Sequence, residues 1–135
     1  MKKVIISISI ILLLVLTVGC GCSKREKELK KEEVKVSTNE NVIKDQEIEV
    51  FTFTNTMLIY KGNTSTFKTK VTNTSENTEY LKEIKIHVKN ESGEDIVILP
   101  GYVGESIEGK ETKKITSSVG FDITAAKSIE YEIVR

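Results

Sequence analysis

The stretch "EIKIHVK", residues Glu83–Lys89, alternates apolar and polar side chains along its whole length. Successive side chains of a β-strand point to opposite faces, so this period of two places Ile84, Ile86 and Val88 together on one face. The stretch therefore predicts a half-buried strand, with His87 on the face that meets solvent.

The same alternation recurs on both sides of this stretch. Residues 67–71 and 129–133 show it most plainly. In residues 48–53 the apolar positions change parity between Val50 and Phe51, which indicates a bulge or a strand buried on both faces. The remaining predicted strands are residues 57–60, 96–99 and 113–119.

Turn-forming residues separate these predicted strands. Turns are expected at residues 61–63, 73–77, 91–95 and 108–111, which are rich in Gly, Asn, Ser and Glu. Pro100 cannot donate a ladder hydrogen bond, so it limits the strand before it and favours an edge position there. One helical turn over residues 122–127, capped by Asp122, is expected to cross between sheets. About seven strands with such turns predict an all-β fold, a single antiparallel immunoglobulin-like β-sandwich over residues 47–135.

Two long stretches resemble small extracytoplasmic β-sandwich domains related to the FxLYD family. They are "TKVTNTSENTEYLKEIKIHVKNESGEDI" (residues 69–96) and "GYVGESIEGKETKKITSSVGFDITAAKSIEYEI" (residues 101–133). The matching positions are Val71, Asn73, Ser75, Ile86, Val88, Asn90, Gly93, Gly109 with residues 110–115, Asp122, Ala126, Ile129 and Tyr131. The resemblance implies a fold and no active site, because its motifs are turns and core positions.

The N-terminal residues 1–19 have the composition of a secretory signal peptide. A basic start at residues 1–3 precedes an uncharged run of about fifteen residues, against about twenty that a membrane-spanning helix needs. The segment from Leu16 to Cys20, "LTVGC", resembles the lipobox of bacterial lipoproteins. The resemblance implies that Cys20 becomes the first residue of the mature chain and carries a thioether-linked diacylglycerol. An uncleaved signal that serves as the anchor is the alternative.

Cys20 and Cys22 are the only cysteines, and their pairing with a metal or with each other is disfavoured. The only histidine, His87, lies far away in sequence, and both thiols precede the predicted domain. Two acyl chains on one residue are about what stable anchoring requires. We therefore expect lipid attachment at Cys20, with Cys22 either acylated or idle.

Residues 20–46 are expected to form the lipidated N-terminus and a flexible charged tether. Residues 23–46 interleave charges of both signs and show no strong hydrophobic period, which favours a solvated coil. A frayed helix over residues 24–34 is the structured alternative. The lysines near Cys20 could also face anionic lipid, although neighbouring glutamates largely cancel their charge.

Charge and motif content argue against several functions. Lys plus Arg and Asp plus Glu number 20 each, so no basic excess favours a nucleic-acid partner. His87 stands between Lys85 and Lys89, no serine lies in a nucleophile turn, and the acidic residues at 91–95 fit no calcium loop. We expect no catalytic residue, cofactor or metal, and therefore no enzyme.

The sequence thus predicts a lipoprotein anchored to the extracytoplasmic face of a cell membrane. The expected role is a binding or adaptor module for a protein or cell-wall partner, with residues 96–99 as the candidate edge strand. A structural or accessory subunit of a cell-envelope complex is the alternative. The oligomeric state stays open.

Overall fold

The computed structural model describes residues Lys31–Arg135, so the predicted signal peptide, Cys20 and Cys22 lie outside the described residues. Its strands are β1 (Val34–Val36), β2 (Gln46–Ile48), β3 (Phe51–Lys61), β4 (Thr64–Asn73), β5 (Glu79–Tyr80), β6 (Glu83–Lys89), β7 (Asp95–Tyr102), β8 (Ser106–Ile107), β9 (Thr112–Val119) and β10 (Ser128–Val134). The one helix of this part, α1, spans Glu40–Ile43. The predicted all-β antiparallel sandwich is confirmed.

Two main sheets form the sandwich. In the larger sheet β3, β4 and β9 follow one another, and β1 and β2 both pair with the other side of β3. The smaller sheet has the order β10-β6-β7, and β5 pairs with β8 in a short ladder. Within the described chain β7 pairs only with β6, so its predicted edge position is confirmed. It runs on through Pro100 to Tyr102, further than expected.

The apolar faces of the two sheets meet in one core. Ile84, Ile86 and Val88 of β6 are all fully buried, which confirms the strand phase expected from their alternation. From the larger sheet, the ring of Phe53 stacks on Tyr131 of β10 with 4.1 Å between ring centroids. Each such buried side chain contributes about 1.5–3 kcal/mol relative to an exposed one.

The parity change near Val50 marks a hairpin, and neither the bulge nor the doubly buried strand that we expected. Ile48 pairs with Phe51, and Glu49 between them has a φ of 58°. The extra residue lies later, at Asn55 (φ 54°), inside one long strand that merges the two strands predicted here. The difference arises because a strand end and a bulge both shift the apolar parity, and sequence alone does not separate them.

Within the segment predicted to be a tether, the described structure has three elements before residue 47 or across it, namely β1, α1 and β2. β1, α1 and β2 form an interrupted edge strand along β3. Val42 of α1 is fully buried, and the Gln46 side chain donates a 2.9 Å hydrogen bond to the carbonyl of Ile129. A single buried valine in a polar segment makes no hydrophobic period, so these elements depend on contacts with the sandwich.

The connection between β9 and β10 crosses from the larger to the smaller sheet as predicted, but it contains no helix. Asp122 does accept hydrogen bonds from the amide and hydroxyl of Thr124, at 2.9 and 2.7 Å. The chain then turns, and the backbone amide of Ala126 donates a 3.1 Å hydrogen bond to the carbonyl of Ile123. The other predicted turns are confirmed, including the two-residue turn at Gly62 and Asn63, both at positive φ.

Asn73 at the end of β4 joins several loops although it is fully buried. Its Nδ2 lies 2.7, 3.1 and 3.2 Å from the carbonyl oxygens of Asn77, Ile107 and Glu108. Its Oδ1 accepts a 2.9 Å bond from the amide of Ser75. Buried polar groups need such partners, so this asparagine holds the turns at one end of the sandwich in place.

Candidate binding surfaces

The outer face of the smaller sheet carries cations that are all paired. Lys85 and Lys89 of β6 face solvent beside the acidic residues of β10. The Nζ of Lys85 lies 2.8 Å from Glu132, and the Nζ of Lys89 lies 2.6 Å from Glu130. These contacts are cross-strand neighbours of opposite charge, which stabilise a sheet modestly.

His87 lies in the middle of this network between two carboxylates. Its Nδ1 is 2.9 Å from Asp95 and its Nε2 is 3.3 Å from Glu132. The hydrogen bond to Asp95, aided by Glu132, raises the pKa of His87 above its ordinary value of 6.5 although partial burial opposes the shift. The hydrogen bond from Lys85, followed by that from His87, lowers the pKa of Glu132.

This arrangement favours a charged histidine and gives it no nucleophile to activate. Within residues 31–135 the two ring nitrogens of His87 hydrogen-bond only to these carboxylates. A histidine base needs a hydroxyl or thiol within reach, so the geometry favours a structural ion network over nucleophilic catalysis.

Beside this network β7 presents an exposed apolar row. Ile96, Ile98 and Tyr102 are 39%, 47% and 70% exposed. Ile98 pairs with His87, so this isoleucine shares the outer face with the paired charges. We call Ile96, Ile98 and Tyr102 the β7 row. The sequence correctly placed this segment at an edge, while the neighbouring charge network depended on β10.

The acidic turn between β6 and β7 is occupied by its own hydrogen bonds. Asn90 Oδ1 accepts from the amides of Ser92 and Glu94, at 2.9 and 3.0 Å. Hydrogen bonds from Asn90 and then Ser92 lower the pKa of Glu94. Across the described residues, no group of three or more His, Cys, Asp and Glu side chains is placed to hold a metal ion.

The outer face of the larger sheet differs because three of its lysines have no acidic partner among the described residues. Lys70 of β4 lies directly opposite Lys114 of β9, and Lys68 precedes Lys70 by two positions on the same face. In the part of the chain that the structure describes, none of the three has a carboxylate within 4.0 Å. We call Lys68, Lys70 and Lys114 the lysine cluster. Like charges directly opposite one another destabilise a sheet.

Hydroxyl groups surround the lysine cluster. On one side the hydroxyls of Thr72 and Thr112 are 2.8 Å apart, and on the other those of Thr66 and Ser118 are 3.4 Å apart. This face therefore offers hydrogen-bond donors and positive charge without a matching negative charge. No local sequence pattern indicates this face, because β4 and β9 are distant in the chain.

Two depressions adjoin at the bulge of β3. One, of about 400 Å³, is lined by Ser37 and Asp45 among others, and the second, of about 410 Å³, is lined by the lysine cluster and Thr116. Both are also lined by Asn55 and Met57. The bulge thus brings the interrupted edge strand and the lysine cluster to neighbouring positions.

Cys20, the residue predicted to carry the lipid, lies outside the described residues. Among residues 31–135 no helix has the length and apolar character needed to cross a membrane. In comparisons with protein-family models, curated proteins and solved structures, nothing matches this chain.

Proposed function

We propose that this chain is a lipid-anchored, non-catalytic binding module at the extracytoplasmic face of a cell membrane, with Cys20 as the lipid attachment residue. Support for the anchor comes from the signal-like residues 1–19 and the lipobox-like "LTVGC". Two acyl chains on Cys20 would be enough for stable attachment.

The β7 row is the proposed contact surface for a partner protein. Its three exposed apolar side chains lie on an edge strand whose outer side pairs with no strand of the described residues, and this observation carries the proposal. Apolar and aromatic anchors inside a charged rim are the usual anatomy of a protein interface. The neighbouring ion pairs supply such a rim, because their charges are already paired within the sheet.

Packing of side chains is favoured over addition of a partner strand along all of β7. Pro100 removes one amide donor from this strand. A register shift opposite Val88 and Lys89 also bends the start of the strand. Both features are devices that protect natural sheet edges from pairing.

The contact surface can be tested by capture of envelope proteins on immobilised chain. A soluble form that begins at Lys31 keeps β1, α1 and β2, which a form beginning at residue 46 would lose in part. We expect saturable capture of one partner, weakened at least about ten-fold by Ile98→Lys because burying an unpaired ammonium is costly. Tyr80→Lys is the matched control, since Tyr80 is 49% exposed and lies on the β5 ladder.

Equal weakening by both substitutions, or no saturable partner in the native envelope, would contradict the proposed surface.

The anchor is tested separately by metabolic labelling with a fatty acid. We expect Cys20→Ser to abolish the label and Cys22→Ser to retain it. Label that survives the Cys20 change would refute the attachment residue.

A further inference from the structure

The lysine cluster lies on the larger sheet, away from the β7 row, and lines a depression of its own. Residues two apart on a strand are separated by about 6.5–7 Å, and direct cross-strand neighbours by about 4.5–5.5 Å between Cβ atoms. Lys70 and Lys114 are therefore held close, with Lys68 beside them. A bound anion would convert the repulsion between these ammonium groups into attraction, and the hydroxyl of Thr116 adds a donor at the same depression.

The adjoining depression has polar lining residues of its own. Ser37 is only 6% exposed, and its Oγ has no hydrogen-bond partner within the described chain. Buried hydroxyls nearly always have a partner, so this one is suited to a ligand group that both donates and accepts. Asp45 lines the same depression, and a carboxylate is able to accept hydrogen bonds from ligand hydroxyls. Its negative charge excludes an anion from this end and favours ligand hydroxyls.

The two depressions meet at Asn55 and Met57, which line both of them. The Asn55 backbone has left-handed φ at the bulge, an arrangement often found next to binding sites. A ligand that spans the bulge would place an anionic group at the lysine cluster and hydroxyl groups near Ser37.

We propose that these two depressions form one binding site for a phosphorylated polyol, with the phosphate at the lysine cluster and the polyol hydroxyls at Ser37 and Asp45. The same chemistry occurs in a soluble phosphodiester-linked polyol chain and in a phosphoglycerol lipid headgroup. This inference does not depend on the partner proposed for the β7 row, because it concerns the other sheet.

The test uses the full chain in a non-ionic detergent and three small probes, namely glycerol 3-phosphate, inorganic phosphate and glycerol, with binding followed by NMR shifts. We expect glycerol 3-phosphate to bind more tightly than inorganic phosphate, and glycerol to bind most weakly. Lys70→Gln and Lys114→Gln should each weaken glycerol 3-phosphate about five-fold, as expected for loss of one nearby charge at the surface. Lys82→Gln, an exposed lysine of the loop before β6, should change nothing.

Ser37→Ala separates the two ends of the site. It should weaken glycerol 3-phosphate about three- to ten-fold and leave inorganic phosphate unchanged, since only the polyol loses a hydrogen-bond partner. The melting temperature of the free protein should not fall, because this hydroxyl has no protein partner to lose. Equal effects of Lys70→Gln and Lys82→Gln, or equal loss of both phosphate probes in Ser37→Ala, would overturn the proposal.

Two further ligands distinguish the sources of the phosphate. A soluble poly(glycerol phosphate) oligomer and vesicles of phosphatidylglycerol with phosphatidylcholine are compared with vesicles of phosphatidylcholine alone. Binding that Lys70→Gln weakens supports the site, and the ligand that shows it identifies the source. Binding of neither phosphate-bearing ligand, or binding that is insensitive to Lys70→Gln, would refute it.

Discussion

The two outer faces of the sandwich follow the same strand alternation, yet they differ in whether their charged side chains have partners of opposite charge. On the smaller sheet Lys85, His87 and Lys89 each lie within hydrogen-bonding distance of a carboxylate. On the larger sheet Lys70 and Lys114 lie opposite each other with hydroxyl groups around them. On the smaller sheet the charged side chains pair with one another. On the larger sheet the positive charge of the lysine cluster is unpaired among the described residues and is available to an anionic ligand.

This difference shows that polarity at a surface position does not by itself indicate a binding site. Exposed ion pairs contribute little and leave no net field, so binding to the smaller sheet depends on the apolar β7 row. Unpaired lysines in register produce a local positive potential that attracts anions. Four tests with designed variants can break or sharpen the contrast, from the largest expected effect on stability to the smallest.

The register of β4 against β9, on which the lysine cluster depends, is held in part by Asn73. Its backbone amide donates to the Glu111 carbonyl and its backbone carbonyl accepts from the Lys110 amide, both at 3.0 Å, just before β9 begins. Its buried side chain holds the same turn, because Nδ2 donates to the carbonyls of Ile107 and Glu108. Asn73→Ala should lower the free energy of unfolding by about 3 kcal/mol, because several buried polar groups lose their partner. Urea denaturation measures this, with exposed Asn77→Ala expected to change it by less than about 0.5 kcal/mol. Similar values for both variants would contradict the role of Asn73.

Tyr131 of β10 joins the smaller sheet to the bulge of β3 through its hydroxyl group. Its hydroxyl lies 3.1 Å from Thr56, which in turn lies 3.0 Å from Thr69, and burial raises the pKa of Tyr131. Tyr131→Phe should lower the free energy of unfolding by about 1 kcal/mol, the usual contribution of one such hydrogen bond. Tyr60→Phe, which loses only an exposed bond to Asn63, is the control for the same thermal melt. An equal effect of the two changes would show that the bulge is not held by Tyr131.

Charge reversal should act with opposite signs on the two faces. Lys114→Glu places a carboxylate opposite Lys70 and should raise the melting temperature, whereas Lys85→Glu places one beside Glu132 and should lower it. Both shifts should shrink in about 1 M salt, where the Debye length is about 3 Å. Melting curves at low and high salt measure this, with Lys82→Glu as the control. Shifts of the same sign would remove the contrast between the faces.

The pH dependence of the paired face follows from the raised pKa of His87. A group whose pKa is higher in the folded than in the unfolded chain stabilises the folded state. This contribution is complete at pH values below the unfolded pKa, and it is lost as the pH rises through the folded pKa. The stability of the wild type relative to His87→Gln should therefore be greatest just below 6.5 and decline above it. Urea midpoints of both chains between about pH 5.5 and 8.5 test this. His87 is the only histidine, so a constant difference would contradict the assigned partners.

Local sequence was enough to predict most of the long strands, most turns and the edge position of β7. In β6 the alternation is unbroken, and in the turn after β3 the pair Gly62-Asn63 adopts the positive φ that such residues tolerate. By contrast, β1 and α1 were missed because three exposed strand residues and one buried valine have no local signature. The bulge was placed too early, because Asn55 lies in the polar run from Thr54 to Thr56, where no apolar side chain marks the shift.

Of the candidate sites, the sequence indicated the β7 segment and Cys20, and it indicated nothing of the lysine cluster or of Ser37. Ser37 becomes a candidate only because β1 and β2 leave a gap beside the bulge. His87 was expected to be a plain surface residue, and its two carboxylate partners come from β7 and β10.

By itself, the sequence determined which side chains face the core and which face solvent, because that alternation is a property of each strand's backbone. The tertiary structure alone decided which of the solvent-facing charges meet one another. Lys85 meets Glu132, whereas Lys70 meets Lys114, and both pairings come from the register between strands that are distant in the chain. That register is set by packing of the whole core, which no local pattern specifies.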